Sequence, residues 1–219
     1  MHSNLMFVHV KKNPTTTMTT RTMADICELC LVKPVIGEIR AGARSKTASL
    51  LDNGSHVTFK IGSPECPAEV PFHPSAFGDS EATRASLLLV LQEQQSASLS
   101  SLEAKILECM KPDAARFGRN LTAQTLESQW RSCLKILKDG RVCVKVKVNT
   151  TGPHAVKCWL PNGQTETLPE NMAGFAVSAH IHVRGIWLSS SGIGLQLECS
   201  DVLIVNTQDS QVSPWGAIA

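Results

Sequence analysis

Between Arg141 and Asn149 the chain reads RVCVKVKVN, and this run constrains the fold more than any other. Val142, Val144, Val146 and Val148 share one parity, and Arg141, Cys143, Lys145, Lys147 and Asn149 share the other. Successive side chains of a strand point to opposite faces of its sheet. The run is therefore a half-buried strand with a basic outer face. Thr151-Gly152-Pro153 is expected to turn the chain into a second strand, Ala155 to Leu160. Pro161-Asn162-Gly163 then leads to a short third strand, Gln164 to Leu168. In the fourth, Val177, Ala179, Ile181 and Val183 alternate with Ser178, His180, His182 and Arg184. Ser189-Ser190-Ser191-Gly192 turns into a last strand, Ile193 to Val205. Five strands in about 65 residues, joined by short turns, suit a small sandwich or barrel.

Upstream the pattern changes. Residues 25–80 read as loop-rich with short strands, of which Val57 to Ile61 carries Lys60. Ser86 to Leu91 is a short apolar run expected to be a buried strand. Two helices are expected next. Ser100 and Glu103 stand at capping-box spacing, Leu102, Ile106 and Met110 form an apolar stripe, and Pro112 ends it. Leu126, Trp130, Cys133, Leu134 and Leu137 recur at helical spacing, with Thr122 as cap and Asp139-Gly140 as stop. Trp130 on that stripe, and Trp187 with the parity of Val183, are both expected in the core.

The 42% apolar content supports a real core, and the formal charge of +2 says little by itself. Its distribution says more. Between Arg131 and Arg184 lie eight basic residues and three acids, a local excess that attracts a polyanion. The eight cysteines follow no secretory signal and form no disulfide framework, which implies a reducing, intracellular setting. No run approaches the roughly 20 apolar residues of a membrane span. Cys27-Glu28-Leu29-Cys30 is a C-x-x-C without a second pair at zinc-ribbon spacing, and no metal or cofactor is expected. His180 and His182 lack neighbouring acids or cysteines that would complete a metal site, and suit phosphate contact or a polar surface. There is no P-loop, dinucleotide fingerprint or nucleophile motif, so no enzyme is expected.

If the first two strands of the C-terminal unit pair as a hairpin, Lys145, Lys147, Lys157 and Trp159 share one exposed surface. Cations that track phosphates beside a ring that stacks on bases are the combination used by single-strand binders. The same pattern also suits a lysine-decorated face that guards a sheet edge.

Val177 to Val205 (VSAHIHVRGIWLSSSGIGLQLECSDVLIV) resembles the closing hairpin of virus-type and phage-type single-stranded DNA-binding proteins. In these an R-x-I/V-W strand, a polar turn and a G-x-x-L-x-x-x-D-V strand end an OB-type barrel. Leu134 to Leu160 fits their order of elements, and Pro71-Phe72-x-Pro74-Ser75-x-Phe77 resembles a Pro/Phe-rich lead-in of large-DNA-virus proteins. The resemblance implies a mainly β fold with accessory helices, an OB-like antiparallel β-barrel. It implies that Lys145, Lys147, Lys157 and Trp159 face the bound strand, with Arg184 as a phosphate contact. Arg141 and Lys60 complete the expected nucleic-acid-binding set.

The expected organisation is a disordered segment over 1–24, a single OB-like domain over 25–205 with a helical insertion near 98–138, and a flexible tail over 206–219. The expected activity is largely sequence-independent coating of single-stranded DNA, favoured over RNA, in replication, recombination or repair. A homo-oligomer and replication proteins are the further partners expected. The nucleus or a viral replication compartment is favoured over the mitochondrion. A non-enzymatic protein-interaction module is the alternative, followed by a zinc protein using Cys27 and Cys30.

Overall fold

The computed structural model describes residues 24–42, 45–76, 83–118 and 120–206. The expected disordered segment, apart from Ala24, and the expected tail, apart from Asn206, lie outside the described residues. β1 (Ala24–Asp25) precedes a 3-10 turn at Ile26–Leu31. β2 (Pro34–Ala41), β3 (Lys46–Asp52), β4 (Ser55–His56), β5 (Thr58–Ile61), β6 (Ala68–Glu69), β7 (Ser75–Ala76) and β8 (Arg84–Val90) follow. Then come α1 (Glu93–Met110), α2 (Ala114–Phe117) and α3 (Ala123–Gln129). The chain ends in β9 (Leu134–Ile136), β10 (Val142–Asn149), β11 (Lys157–Trp159), β12 (Thr165–Glu166), β13 (Ala176–Ser189) and β14 (Gly192–Asn206).

β13 and β14 form one long antiparallel hairpin, from Ala176 opposite Asn206 to Ser189 opposite Gly192. The other edge of β13 takes β3, β5 and β6. The other edge of β14 takes β10 and β11, both parallel. β8 closes against β10. Valines set the parity here. Turning β10 over would expose Val144, Val146 and Val148, all fully buried, at roughly 1.5–3 kcal/mol each. A surface lysine contact of ~1 kcal/mol or less cannot reverse that. The inward residues of the sheet and the α1 stripe of Leu99, Leu102, Ile106 and Met110 belong to one buried cluster.

The mainly β, helix-bearing class stands, but the antiparallel barrel is corrected. Pairing runs along an open path from β1 to β7, and no pairing among the described residues joins its ends. β1–β5, β10–β14 and β11–β14 are parallel. The expected β10–β11 hairpin is absent as well. A loop closed by Val156 N–H donating to the Asn149 carbonyl (2.8 Å) returns the chain to β14 without reversing it. β10 and β11 therefore lie in series along one edge of β14.

The helices differ from expectation for a traceable reason. α1 starts under a Gln92–Gln95 capping box, not at Ser100. Glu103 is buried and accepts from Cys133 N–H (2.9 Å) and Ser132 Oγ (2.7 Å). That capture, with Lys145 N–H donating to the Cys133 carbonyl (3.3 Å), draws residues 132–136 out of helix and against β10. α3 keeps its Thr122 cap but stops at Gln129. Trp130 is half-buried and bridges Ile193. Asp139-Gly140 turns a β9–β10 hairpin, with Leu137 N–H donating to Arg141 at 2.9 Å.

Trp187 corrects the expected core, whereas Trp130 packs against it. The β13–β14 register slips between Val183 and Gly185, leaving Arg184 as an extra residue. A one-residue slip exchanges faces. Ile186 and Leu188 therefore point inward and Trp187 outward. Gly185 has φ +139°, and a Cβ there would lie 2.1 Å from the Ala48 carbonyl oxygen. Gly185→Ala is expected to cost about 1–3 kcal/mol, read as a lower urea midpoint. An unchanged midpoint would show that the bulge is not held by this contact.

Candidate nucleic-acid interface

The pairing register lines up side chains of the outward parity from six strands. One cross-strand row runs Lys60 (β5), His180 (β13), Asp201 (β14), Lys157 (β11). A second runs Thr58, His182, Glu198 and Lys147 and ends on β8 at Ser86, which is buried. A third joins Ser178, itself buried and donating to the Gly62 carbonyl, to Leu203 and Trp159. Strands lie about 4.8 Å apart, so the first row is roughly 14 Å wide. The expected set Lys60, Lys145, Lys147, Lys157 and Trp159 thus meets on one face, although β10 and β11 reach it in series and not as a hairpin.

Trp159 is half-buried and donates from Nε1 to Asp201 Oδ1 (3.1 Å), which fixes its indole. It borders a cleft also lined by Lys60, Pro64, His180, Asp201 and Leu203. Two carboxylates share the face, and both are engaged. Glu198 accepts from Arg184 (2.7 Å) and from the Asn149 amide (3.2 Å). Arg184 is therefore an ion-paired member of the face. Arg141 sits elsewhere, at the β9–β10 turn, clamped between Glu69 (2.6 Å) and Asp139 (2.8 Å). It lines neither the cleft at Trp159 nor the one beside Lys147.

Partial burial tunes the titrating groups. Lys147 is held below the ordinary ammonium value by desolvation first and by the charge of Arg84 second, with Glu198 opposing. Desolvation holds His180 below the ordinary histidine value against the pull of Asp201. Desolvation and Arg184 do the same to His182, whose Nε2 is 3.1 Å from Ser200 Oγ.

The chain resembles phage single-stranded DNA-binding proteins. It is similar to the single-stranded DNA-binding protein gp2.5 of bacteriophage T7, at 13% identity, over 75% of this chain and 100% of that one, with a TM-score of 0.48. It is similar to the single-stranded DNA-binding protein of bacteriophage Enc34, at 12% identity, over 79% and 90% of the two chains, with a TM-score of 0.43. The same Enc34 protein in complex with single-stranded DNA gives 12%, 79%, 94% and 0.42. No protein-family model and no curated protein matches the chain.

Sequence reasoning missed several outward residues. Arg84 pairs opposite Asn149, next to Lys147, and Arg40 lies in the row of Thr47 and Trp187. Arg131 and Lys135, read as helical, line a cleft with Lys145, Lys147 and Trp187. The available signal was Gly185 inside an apolar strand pattern, which marks a bulge. The C-x-x-C lies in the 3-10 turn, where Cys30 Sγ donates to the Cys27 carbonyl at 3.3 Å. Among the described residues, no group of three or more His, Cys, Asp or Glu could hold a metal ion.

Because both histidines are harder to protonate folded than unfolded, unfolding takes up protons in acid. Their contribution is fully present above the unfolded value of about 6.5 and is lost as pH falls through it toward the folded values. Urea midpoints at pH 7.5 and 5.5 should show the drop, and the His180→Gln/His182→Gln protein should show less of it. An equal drop in both proteins would assign the acid sensitivity to other groups.

Proposed function

We propose that this chain binds single-stranded DNA along the outward face of β5, β13, β14, β10 and β11, coating strands exposed in replication, recombination or repair without catalysing a reaction. The observation that carries the reading is the convergence of Lys60, Lys145, Lys147 and Lys157 with the Trp159 indole on one sheet face. The ammonium groups suit a phosphate backbone, and the indole offers a stacking plane that accepts any base. The phage proteins it resembles are named for binding single-stranded DNA. The reading for this chain stands on the chemistry of its own face. A protein-docking role has a separate observation in its favour: Leu31 is 74% and Val35 58% exposed, on the 3-10 turn and β2.

Titration with fluorescent oligo-dT at two ionic strengths separates these roles. Binding that weakens with salt supports the DNA reading, and no binding at low salt removes it. Lys145→Gln/Lys147→Gln should weaken binding to every sequence and flatten the salt slope by about 0.7 per lost phosphate contact. Trp159→Ala should lose about 1–3 kcal/mol with the slope nearly unchanged. If both variants bind like the parent, the strand lies elsewhere on the protein.

A further inference from the structure

The strongest feature beside the expected site, sharing Lys145 and Lys147 with it, lies where β10 and β14 part. Lys147 still pairs opposite Glu198, but two residues earlier Lys145 N–H donates to the Cys133 carbonyl instead. Residues 130–133 fill the gap, with Arg131 N–H donating to the Ile193 carbonyl (2.7 Å). The fork leaves a cleft of about 410 Å³ whose walls carry Arg131, Lys135, Lys145, Lys147, Gln196 and the Trp187 indole. Among the described residues, no Asp or Glu lines it. The cleft at Trp159, by contrast, holds Asp201.

Two backbone devices build this cleft. The Gly185 bulge turns Trp187 to the outward face, and re-aiming a side chain is a known use of bulges. Opposite it, Gly194 lets the ring lie close. A Cβ there would meet the indole at 2.9 Å. The far wall is held by buried Glu103, which fixes Ser132 and Cys133 and thereby the segment bearing Arg131. Four cations beside a half-exposed ring match a nucleotide, with its phosphate on the guanidinium and ammonium groups and its base on the indole.

We infer that this cleft is a second nucleotide-binding subsite, in which Trp187 stacks a base while Arg131, Lys135 and Lys145 hold the flanking phosphates. The inference rests on the single-strand reading and extends it. The bound strand runs over His182 and Lys147 from one indole to the other, along roughly 30 Å of β14 between Leu203 and Gly194. Trp159 and Trp187 thus mark the two ends of one track.

The test uses the full chain and oligo-dT from about 4 to about 16 nucleotides, a range that brackets the footprints of comparable modules. Trp187→Ala should weaken binding of the long strands between about 5-fold and 150-fold, and Lys135→Gln should flatten the salt slope. In a Trp159→Phe protein, long oligo-dT should still quench intrinsic fluorescence, and the quenching should vanish in Trp159→Phe/Trp187→Phe. This second readout does not depend on the alanine variant folding. If the parent binds but Trp187→Ala matches it at every length, and the single and double Phe variants quench alike, the subsite is overturned while DNA binding stands. A parent that binds no oligo-dT overturns both.

Discussion

The β13–β14 ladder is the constraint on which the rest of the molecule depends. It pairs a 14-residue strand with a 15-residue strand across a Ser-rich turn. Both outer edges are used, β13 by β3, β5 and β6, and β14 by β10 and β11. Its inward residues Val177, Ala179, Ile181, Val183, Val202 and Ile204 are all nearly or fully buried. That burial fixes which side chains remain outside. The histidines, Arg184, Glu198 and Asp201 lie outward because the core claims their neighbours. The basic side chains on β5, β10 and β11 inherit the same face through the register.

The ladder slips register three times, and two of the slips shape the outward face. Near Ser200 the slip between His180 and Ile181 leaves the Asp201 and Glu198 rows both outward. At Arg184 the slip sends the following tryptophan outward and leaves Ile186 and Leu188 to the core. The two outward carboxylates are both hydrogen-bonded at short range. Glu198 orders Arg184 and Asn149, and Asp201 orders the Trp159 ring. Opposing charge within a few ångströms limits how far Glu198 repels a polyanion, while lysines spread along the face act over a Debye length of about 8 Å.

Strand parity was legible from residue types alone where burial is strong. Val144 to Val148 and Val177 to Val183 fall as their alternation requires, and so do Lys145, Lys147, Lys157, Trp159 and Lys60, whereas Cys143, of the outer parity, is fully buried and Val142 only half-buried. What escaped was tertiary. The apolar spacing from Leu126 to Leu137 is helical, yet Glu103 and the open edge of β10 pull its second half into β9. The turn at Thr151-Gly152-Pro153 looks like a reversal, yet the chain re-enters the same edge of β14 in the same direction. Arg141 has the right parity but two carboxylates of its own. Trp187 escaped because a bulge shifts parity by one residue, and only Gly185 hints at it.

The central claim is that one outward sheet face, and not the helical side or the β2 edge, meets the nucleic acid. Backbone and indole amide shift changes on adding oligo-dT test this directly. The largest changes are expected at His182, Lys147, Lys157 and the two outward indoles, with α1 unmoved. Changes concentrated on α1, Leu31 and Val35, with the sheet face silent, would contradict it.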